Sequence, residues 1–281
     1  MSRIPLSCGN HSFGLLPLEH AVRLIGMLEL DGIDLVAVGG GDGHLRPEDL
    51  RADIGGWAAR LRAQLDAAGL GPTDLFVIPW SDFETLAPNS PQADARAAWR
   101  ALIDDMVELA ARVGAPGITT VPGVEWPEAR HRDSLRRAAD ELSWGAERAA
   151  AAGLRFSVEA HVGSVCATPE AALELLTLAS GVELTLDYSH FVAQGVDPQR
   201  VHPLLPHARH VHARGARSER LQCSVERSTI DYGEIVQLLR EGDYGGAIAI
   251  EYVWTEWQGL NDCDTLAETI LLRDRLRAYA G

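Results

Sequence analysis

Four short segments of the chain carry a group that can ligate a metal at or next to the end of an apolar run: FSVEAH, TLDYSHF, HVHAR and AIAIEYVW. The residues are Glu159, Asp187, His212 and Glu251, separated by 28, 25 and 39 positions. Each interval is about the length of a helix, a strand and their loops. Three carboxylates converging on one place repel one another and are costly to desolvate, and a divalent cation is the simplest way to neutralise them. Carboxylate oxygens with a single imidazole favour Mn²⁺, with Mg²⁺ or Co²⁺ as alternatives, over a thiolate-rich zinc site. The competing assignment makes the same four residues ion-pair partners for Arg155, Arg209 and Arg214.

Short apolar runs alternate along the chain with longer amphipathic or Ala-rich ones. The expected strands are Ile4–Cys8, Ile33–Val38, Leu75–Ile78, Ile118–Val121, Arg155–Glu159, Glu183–Asp187, Ala208–His212 and Ala247–Glu251. The intervening helices are expected over Leu18–Leu30, Ile54–Ala68, Ala95–Val113, Arg132–Ala152, Pro169–Ala179 and Tyr232–Glu241. Thr168 can cap the helix that Pro169 and Glu170 open, and Gly69, Gly114 and Gly153 stand where helices should stop. Repeated βα units without a composition break predict one parallel sheet, and eight strands predict its closure into a (β/α)8 barrel spanning residues 1–281 as one domain. An open doubly wound sheet is the alternative, but GNHSFG after the first strand is not a dinucleotide-binding fingerprint.

Strand parity places the quartet. In a strand, alternate side chains face opposite sides. Ile248 and Ile250, Phe156 and Val158, and Leu184 and Leu186 should face the helices. Ala249, Ser157 and Thr185 should face inward together with Glu251, Glu159 and Asp187. In RHVHA, Val211 opposes His210 and His212, so the imidazole ligand joins the inward face. All four ligands then lie at the C-terminal mouth, where barrel enzymes carry their chemistry.

The segments resemble the xylose-isomerase-like barrel superfamily, in particular its sugar and sugar-phosphate isomerase and epimerase branch. The resemblance covers nearly the whole chain and is strongest from Arg155 to Tyr252. It rests on the four ligand positions, on Asp187-Tyr188-Ser189-His190 as an Asp-x-x-His pattern, and on a last unit with a helix near Asp231, a Tyr244–Gly246 turn and a strand ending in Glu251. It implies a metal held by Glu159, Asp187, His212 and Glu251. It also implies proton exchange by Glu159 and Glu251 on opposite faces of an enediolate derived from a sugar- or cyclitol-like hydroxy-ketone. Two positions depart from the free-ketose 3-epimerases. Val165 stands where they carry a substrate-binding Glu, and Ser218 stands where they carry an Arg, with Arg217 and Arg220 close by.

Around this centre, His190, His161 and Arg214 are candidates for substrate contact or for supporting the ligands. Trp80, Trp126, Trp254 and Trp257 all follow expected strands, and flat indoles at the mouth can stack on a ring. Trp57, Trp99 and Trp144 fall inside helices and read as packing. His11 and His44 sit on the first two loops, His210 lies deeper in its strand, and Gly39–Gly43 (GGGDG) reads as a mobile rim rather than a phosphate loop.

The composition narrows the partners. With 40 acidic and 25 basic residues the formal charge is −15, which repels phosphate backbones and anionic membranes and argues against nucleic acid as partner, including for an apurinic endonuclease on the same fold. No apolar run approaches a membrane span, and no signal-peptide core precedes the first strand. The four scattered cysteines fit reduced thiols and a cytoplasmic setting. The expected partner is a small sugar-like molecule, and assembly into a homo-oligomer is compatible with the sequence. A lyase or dehydratase acting on a keto-cyclitol or an oxidised glycoside begins with the same proton abstraction. It stands beside isomerisation and epimerisation, as does a barrel that binds without catalysis.

Overall fold

The computed structural model describes residues 3–41 and 43–280. Eight parallel strands close into a barrel in chain order: β1 (Leu6–Gly9), β2 (Gly32–Val38), β3 (Gly71–Ile78), β4 (Gly117–Thr120), β5 (Arg155–Glu159), β6 (Glu183–Asp187), β7 (Ala208–Ala213) and β8 (Ile248–Ile250), which pairs back to β1. The long connecting helices are α1 (Leu18–Met27), α3 (Ile54–Ala68), α4 (Ala93–Val113), α5 (His131–Ala151), α6 (Pro169–Leu178), α9 (Tyr232–Glu241) and α10 (Thr265–Ala280). Short helices α2 (Pro47–Leu50), α7 (Tyr188–Ala193) and α8 (Pro198–Val201) lie between them. The fold is the expected (β/α)8 barrel. Among the described residues no helix is long and apolar enough to cross a membrane.

Local chemistry accounts for the boundaries. Thr168 Oγ1 accepts from Ala171 N at 3.2 Å with Pro169 in the first turn of α6, and Asp231 accepts from Gly233 and Glu234 at the start of α9. Gly69 and Gly114 end α3 and α4 with φ of 70° and 83°, a conformation open to a residue without Cβ. Strand β8 is only three residues long, so Glu251 stands one position past its end. α10 was not among the expected helices. It buries Leu272 and Leu276 and packs on α9 and β8, while Leu266, Leu271 and Tyr279 are exposed, so its apolar residues form no clean stripe.

The parity expectation holds along β5, β6 and β8. Phe156, Val158, Leu184, Leu186, Ile248 and Ile250 are buried in the core shared with the helices. Inside the barrel, Thr119, Ser157 and Thr185 hydrogen-bond one another at 2.7–3.0 Å. Regular alternation breaks at two places. Between β2 and β3 the register skips Thr73, and between β6 and β7 it skips Arg209. Such a bulge lets consecutive residues leave the strict two-residue repeat. Thr73 and Asp74 both reach inward hydrogen bonds, as do Arg209 and His210. Arg209 is buried and pairs with Asp74 at 2.8 Å while donating to Ser157 and Thr119. Val36, Phe76 and Val121 form a small separate apolar cluster, and the Phe76 ring lies 5.4 Å from that of His212.

Candidate active site at the barrel mouth

Glu159 ends β5, Asp187 ends β6, His212 is the fifth residue of β7 and Glu251 follows β8, so four adjacent strands deliver the four buried groups to the same end of the barrel. His212 Nδ1 lies 2.5 Å from Glu159 Oε1 and 3.5 Å from Glu251 Oε2. Asp187 divides its work. Its Oδ1 accepts from Ser189 N at 2.8 Å, opening α7, and its Oδ2 faces the site. Potential ligand atoms gather within 4.8 Å in two groups that share Glu159, one with His212 and Glu251 and one with Asp187 and His190.

Arg214 is the resident counter-charge. Its Nη2 lies 2.6 Å from Asp187 Oδ2 and 2.8 Å from Glu251 Oε2, and its Nε donates to Ser189 Oγ at 3.0 Å. Of the three arginines weighed as ion-pair partners for the quartet, only Arg214 serves that way. Arg155 pairs with Glu183, and Arg209 pairs with Asp74.

Two neutral histidines complete the floor. Val162 N donates to His190 Nδ1 at 3.2 Å, and His190 Nε2 lies 3.3 Å from Arg214 Nη2, 3.7 Å from Asp187 Oδ2 and 3.8 Å from Glu159 Oε2. His161 Nδ1 donates to the Val162 carbonyl at 2.9 Å, which leaves Nε2 a bare acceptor, buried and without a partner among the described residues. Burial pushes His190 down to about 3 and His161 down to about 4.

Two contributors were not evident as a set from the sequence. His11 Nε2 lies 3.2 Å from Glu251 Oε1, and its ring fits because a Cβ on Gly9 would come within 2.5 Å of it. Asp34 lies beneath the site, its Oδ2 2.6 Å from His210 Nε2 and 3.4 Å from His212 Nε2. A carboxylate on the far nitrogen fixes the ring and turns Nδ1 toward Glu159 and Glu251, the arrangement that supports metal-binding histidines generally. Asp34 is the only charged residue of GIDLVAV and lies on the strand face opposite Ile33 and Leu35, but nothing local points to His210 as its partner 176 positions away.

The electrostatics follow from burial and neighbours. Burial and the adjacent Glu251 charge push Glu159 up to about 7. For Glu251 burial acts upward, but His212 and Arg214 outweigh it and hold the carboxyl well below the usual range. Burial alone would lower His212, yet the charges of Glu251 and Glu159 raise it. Burial is likewise outweighed at Asp187 by Arg214 and His190, and at Asp34 by His210 and His212. The donor set fits a divalent cation. Glu251 Oε2 is buried without a hydrogen bond, since Arg214 approaches it off the hydrogen-bonding direction, and it faces the same spot as His212 Nδ1 and Glu159.

Above the floor lies a cavity of about 670 Å³. Glu159, His161, His190, Arg214 and Glu251 form its base, and Trp254 and Trp257 form part of its wall with Phe83 and Leu260. Trp80 and Trp126 are not in that wall. The Trp80 indole lies against the Gly39–Gly40 backbone, and Trp126 Nε1 donates to Asn89 at 3.0 Å. His44 lines the cavity and is held by Asn10 and the Leu16 carbonyl. In the Gly39–Gly43 rim, Gly39 N donates to Ile78 O and Ser81 N to Gly39 O, while Asp42 lies outside the described residues. Val165 is buried, with its N–H on the Gly123 carbonyl, and is absent from the cavity wall.

The family described as xylose isomerase-like TIM barrel matches residues 22–274. Among solved structures, a 3-keto-D-glucoside 4-epimerase from E. coli, in its apo form, superimposes with a TM-score of 0.74 at 17% identity, covering 98% of this chain and 100% of its own. A D-psicose 3-epimerase from Clostridium cellulolyticum H10, solved with D-tagatose, gives 0.76 at 14% identity over 99% of both chains. A xylose isomerase-like TIM barrel protein from Mycobacterium smegmatis, in complex with magnesium, gives 0.72 at 16% identity over 99% and 98%. At such identities the likeness is one of fold. No curated protein sequence matches the chain.

Proposed function

We propose, from the premise that this chain belongs to the xylose isomerase-like TIM barrel family, that it is a divalent-metal-dependent isomerase or epimerase. The reaction removes a proton next to the carbonyl of a sugar- or cyclitol-like hydroxy-ketone and passes through an enediolate. The observation that carries this reading is the pair Glu159 and Glu251, delivered by β5 and β8 to within 2.5 Å and 3.5 Å of His212 Nδ1 at the base of the cavity. Similarity in fold to proteins described as a keto-glucoside epimerase and a psicose epimerase supports it.

A proton next to a ketone is far too weak an acid for a carboxylate of ordinary pKa. Glu159, Asp187, His212 and Glu251 would hold the cation, Mn²⁺ first by donor type, with Mg²⁺ or Co²⁺ as alternatives. When bound, the cation supplies positive charge where negative charge develops on the substrate oxygens. Glu251 is held ionised by His212 and Arg214, so it is free to take a proton, but the same charges make it a weaker base than an ordinary carboxylate. Glu159, pushed up to about 7, suits either giving or taking a proton near neutrality. His161 Nε2 accepts from a substrate hydroxyl, and Arg214 beside His190 donates to a substrate oxygen, so a hydroxy-ketone matches the floor. Arg214 bridges Asp187 and Glu251, offsets their repulsion and presents positive charge to the same oxygens. Trp254 covers the bound ring from the mouth.

The test is deuterium wash-in from heavy water with Mn²⁺ across keto-sugars, keto-cyclitols and oxidised glycosides, followed by proton NMR and mass spectrometry. The expected result is solvent deuterium at the carbon next to the carbonyl of at least one class. Conserved product mass indicates isomerisation or epimerisation, and loss of water or an aglycone indicates a lyase. No exchange into any of them overturns the reading.

A further inference from the structure

The cavity is divided by chemistry. Every charged or imidazole group at its base belongs to the constellation described above. The wall above them is mainly apolar, formed by Leu15, Phe83, Val253, Trp254, Trp257 and Leu260, with His44, Ser81, Thr255 and Glu256 as its polar members. Polyhydroxylated surface buried against such a wall would lose its hydrogen bonds to water without replacement. Meanwhile Trp254 and Trp257 remain 43% and 37% exposed and Leu15 73% exposed, an apolar rim that opens directly onto the reacting centre.

The backbone holds this wall at a cost. Phe83 has φ of 63° and Gln258, next to Trp257, has φ of 54°, both in the left-handed region that bulky residues avoid. Such conformations persist only where surrounding structure imposes them, and they gather at binding sites. Here they set three rings in series: Phe83 lies 4.6 Å from His161 and 5.7 Å from Trp257. The aromatic wall thus begins in contact with the histidine whose free nitrogen faces the substrate. A volume of about 670 Å³ falls in the middle of the range that holds drug-sized ligands with an apolar body and a few fixed polar contacts.

We propose that the substrate carries an apolar ring next to its hydroxy-ketone, an aryl group or comparable aglycone, and that Phe83, Trp254, Trp257 and Leu260 form its subsite. This rests on the hydroxy-ketone reading of the floor and names the substrate class within it. The polar head sits on His161, His190 and Arg214, and the ring leaves the floor between Phe83 and the two indoles.

Binding without turnover tests the subsite separately from the reaction. With Mn²⁺-loaded protein, phenyl β-D-glucoside, methyl β-D-glucoside and D-fructose are titrated by calorimetry and by quenching of tryptophan emission. Phenyl glucoside is expected to bind at least about ten-fold tighter than methyl glucoside. Trp254→Ala, at an exposed position, and Phe83→Leu are expected to weaken phenyl glucoside far more than methyl glucoside and so erase most of that ratio, with circular dichroism confirming that each variant folds. Equal affinity for the two glucosides overturns the subsite. So does a ratio unmoved by both variants, or sedimentation showing a dimer that Trp254→Ala dissociates, since the indoles would then be an interface. A clear aryl preference without deuterium exchange on any ketone would retain the subsite and reject the reaction.

Discussion

Arg214 Nη2 stands 2.8 Å from Glu251 Oε2 and 2.6 Å from Asp187 Oδ2, so a buried guanidinium joins two of the four groups that converge on the barrel mouth. The protein therefore has its own cation where three carboxylates meet. Breaking a buried ion pair by removing one partner leaves uncompensated charge, typically at a cost of about 3–5 kcal/mol. In Arg214→Met, chelator-treated protein should melt on the order of 10 °C below the wild type. Added Mn²⁺ should recover more stability in the variant than in the wild type. Melting curves with and without chelator measure both; an unchanged gap would show that the carboxylates are balanced by other groups.

Asp34 tests how the His212 ring is held. Its Oδ2 contacts the far nitrogens of both His210 and His212. Asp34→Asn should weaken Mn²⁺ binding by about 10–100-fold, the usual effect of losing the group behind a metal-binding histidine. Because Asp34 also bonds Ser7 and Thr73, His210→Gln serves as a milder second variant with a smaller loss in the same direction. Calorimetric titration reads both, and wild-type affinity in the two variants would assign Asp34 to packing alone.

The two glutamates can be separated by isotope exchange. Glu251→Gln and Glu159→Gln should each lower turnover by at least about 10²-fold, the lower end of what a positioned acid or base contributes. If each serves one face of the enediolate, a single variant still exchanges the α-proton of one epimer into heavy water while failing to convert it. Loss of exchange from both epimers together in either variant would point to one base serving both positions. Near-normal turnover in Glu251→Gln would remove that residue from the chemistry.

His161 gives the protein an acid limit. Burial pushes its imidazole down to about 4, whereas the unfolded residue titrates near 6.5. Between those values the unfolded chain binds the proton and the native protein does not. The contribution is therefore complete above pH 6.5 and is lost as the pH falls toward 4. It amounts to about 2 kcal/mol between pH 7 and 5. Glu159, pushed up to about 7, acts in the opposite sense, so the comparison is wild type against His161→Gln at each pH. Urea midpoints at pH 7 and pH 5 should draw closer together in the variant; parallel losses in the two proteins would remove His161 as the cause.

The sequence by itself determined the barrel and the quartet. The apolar runs recur at the spacing of βα units, and a two-residue period fixes which face of each strand Glu159, Asp187 and His212 occupy. Both signals are local, so they survive without knowledge of neighbours. Tertiary structure alone decided what surrounds the four residues. The parity rule assumes an unbroken register, and the skipped residues Thr73 and Arg209 break it, turning adjacent side chains inward. Asp74 with Arg209 and Asp34 with His210 meet across 135 and 176 positions, contacts that exist only once the barrel closes. The same closure chose Arg214 over Arg155 and Arg209 as the counter-charge, brought His11 to Glu251, and set Phe83 rather than Trp80 or Trp126 beside the floor. Strand ends are encoded residue by residue. Partnership across a barrel depends on which side chains the register and the loops leave facing one another, and that is settled only in three dimensions.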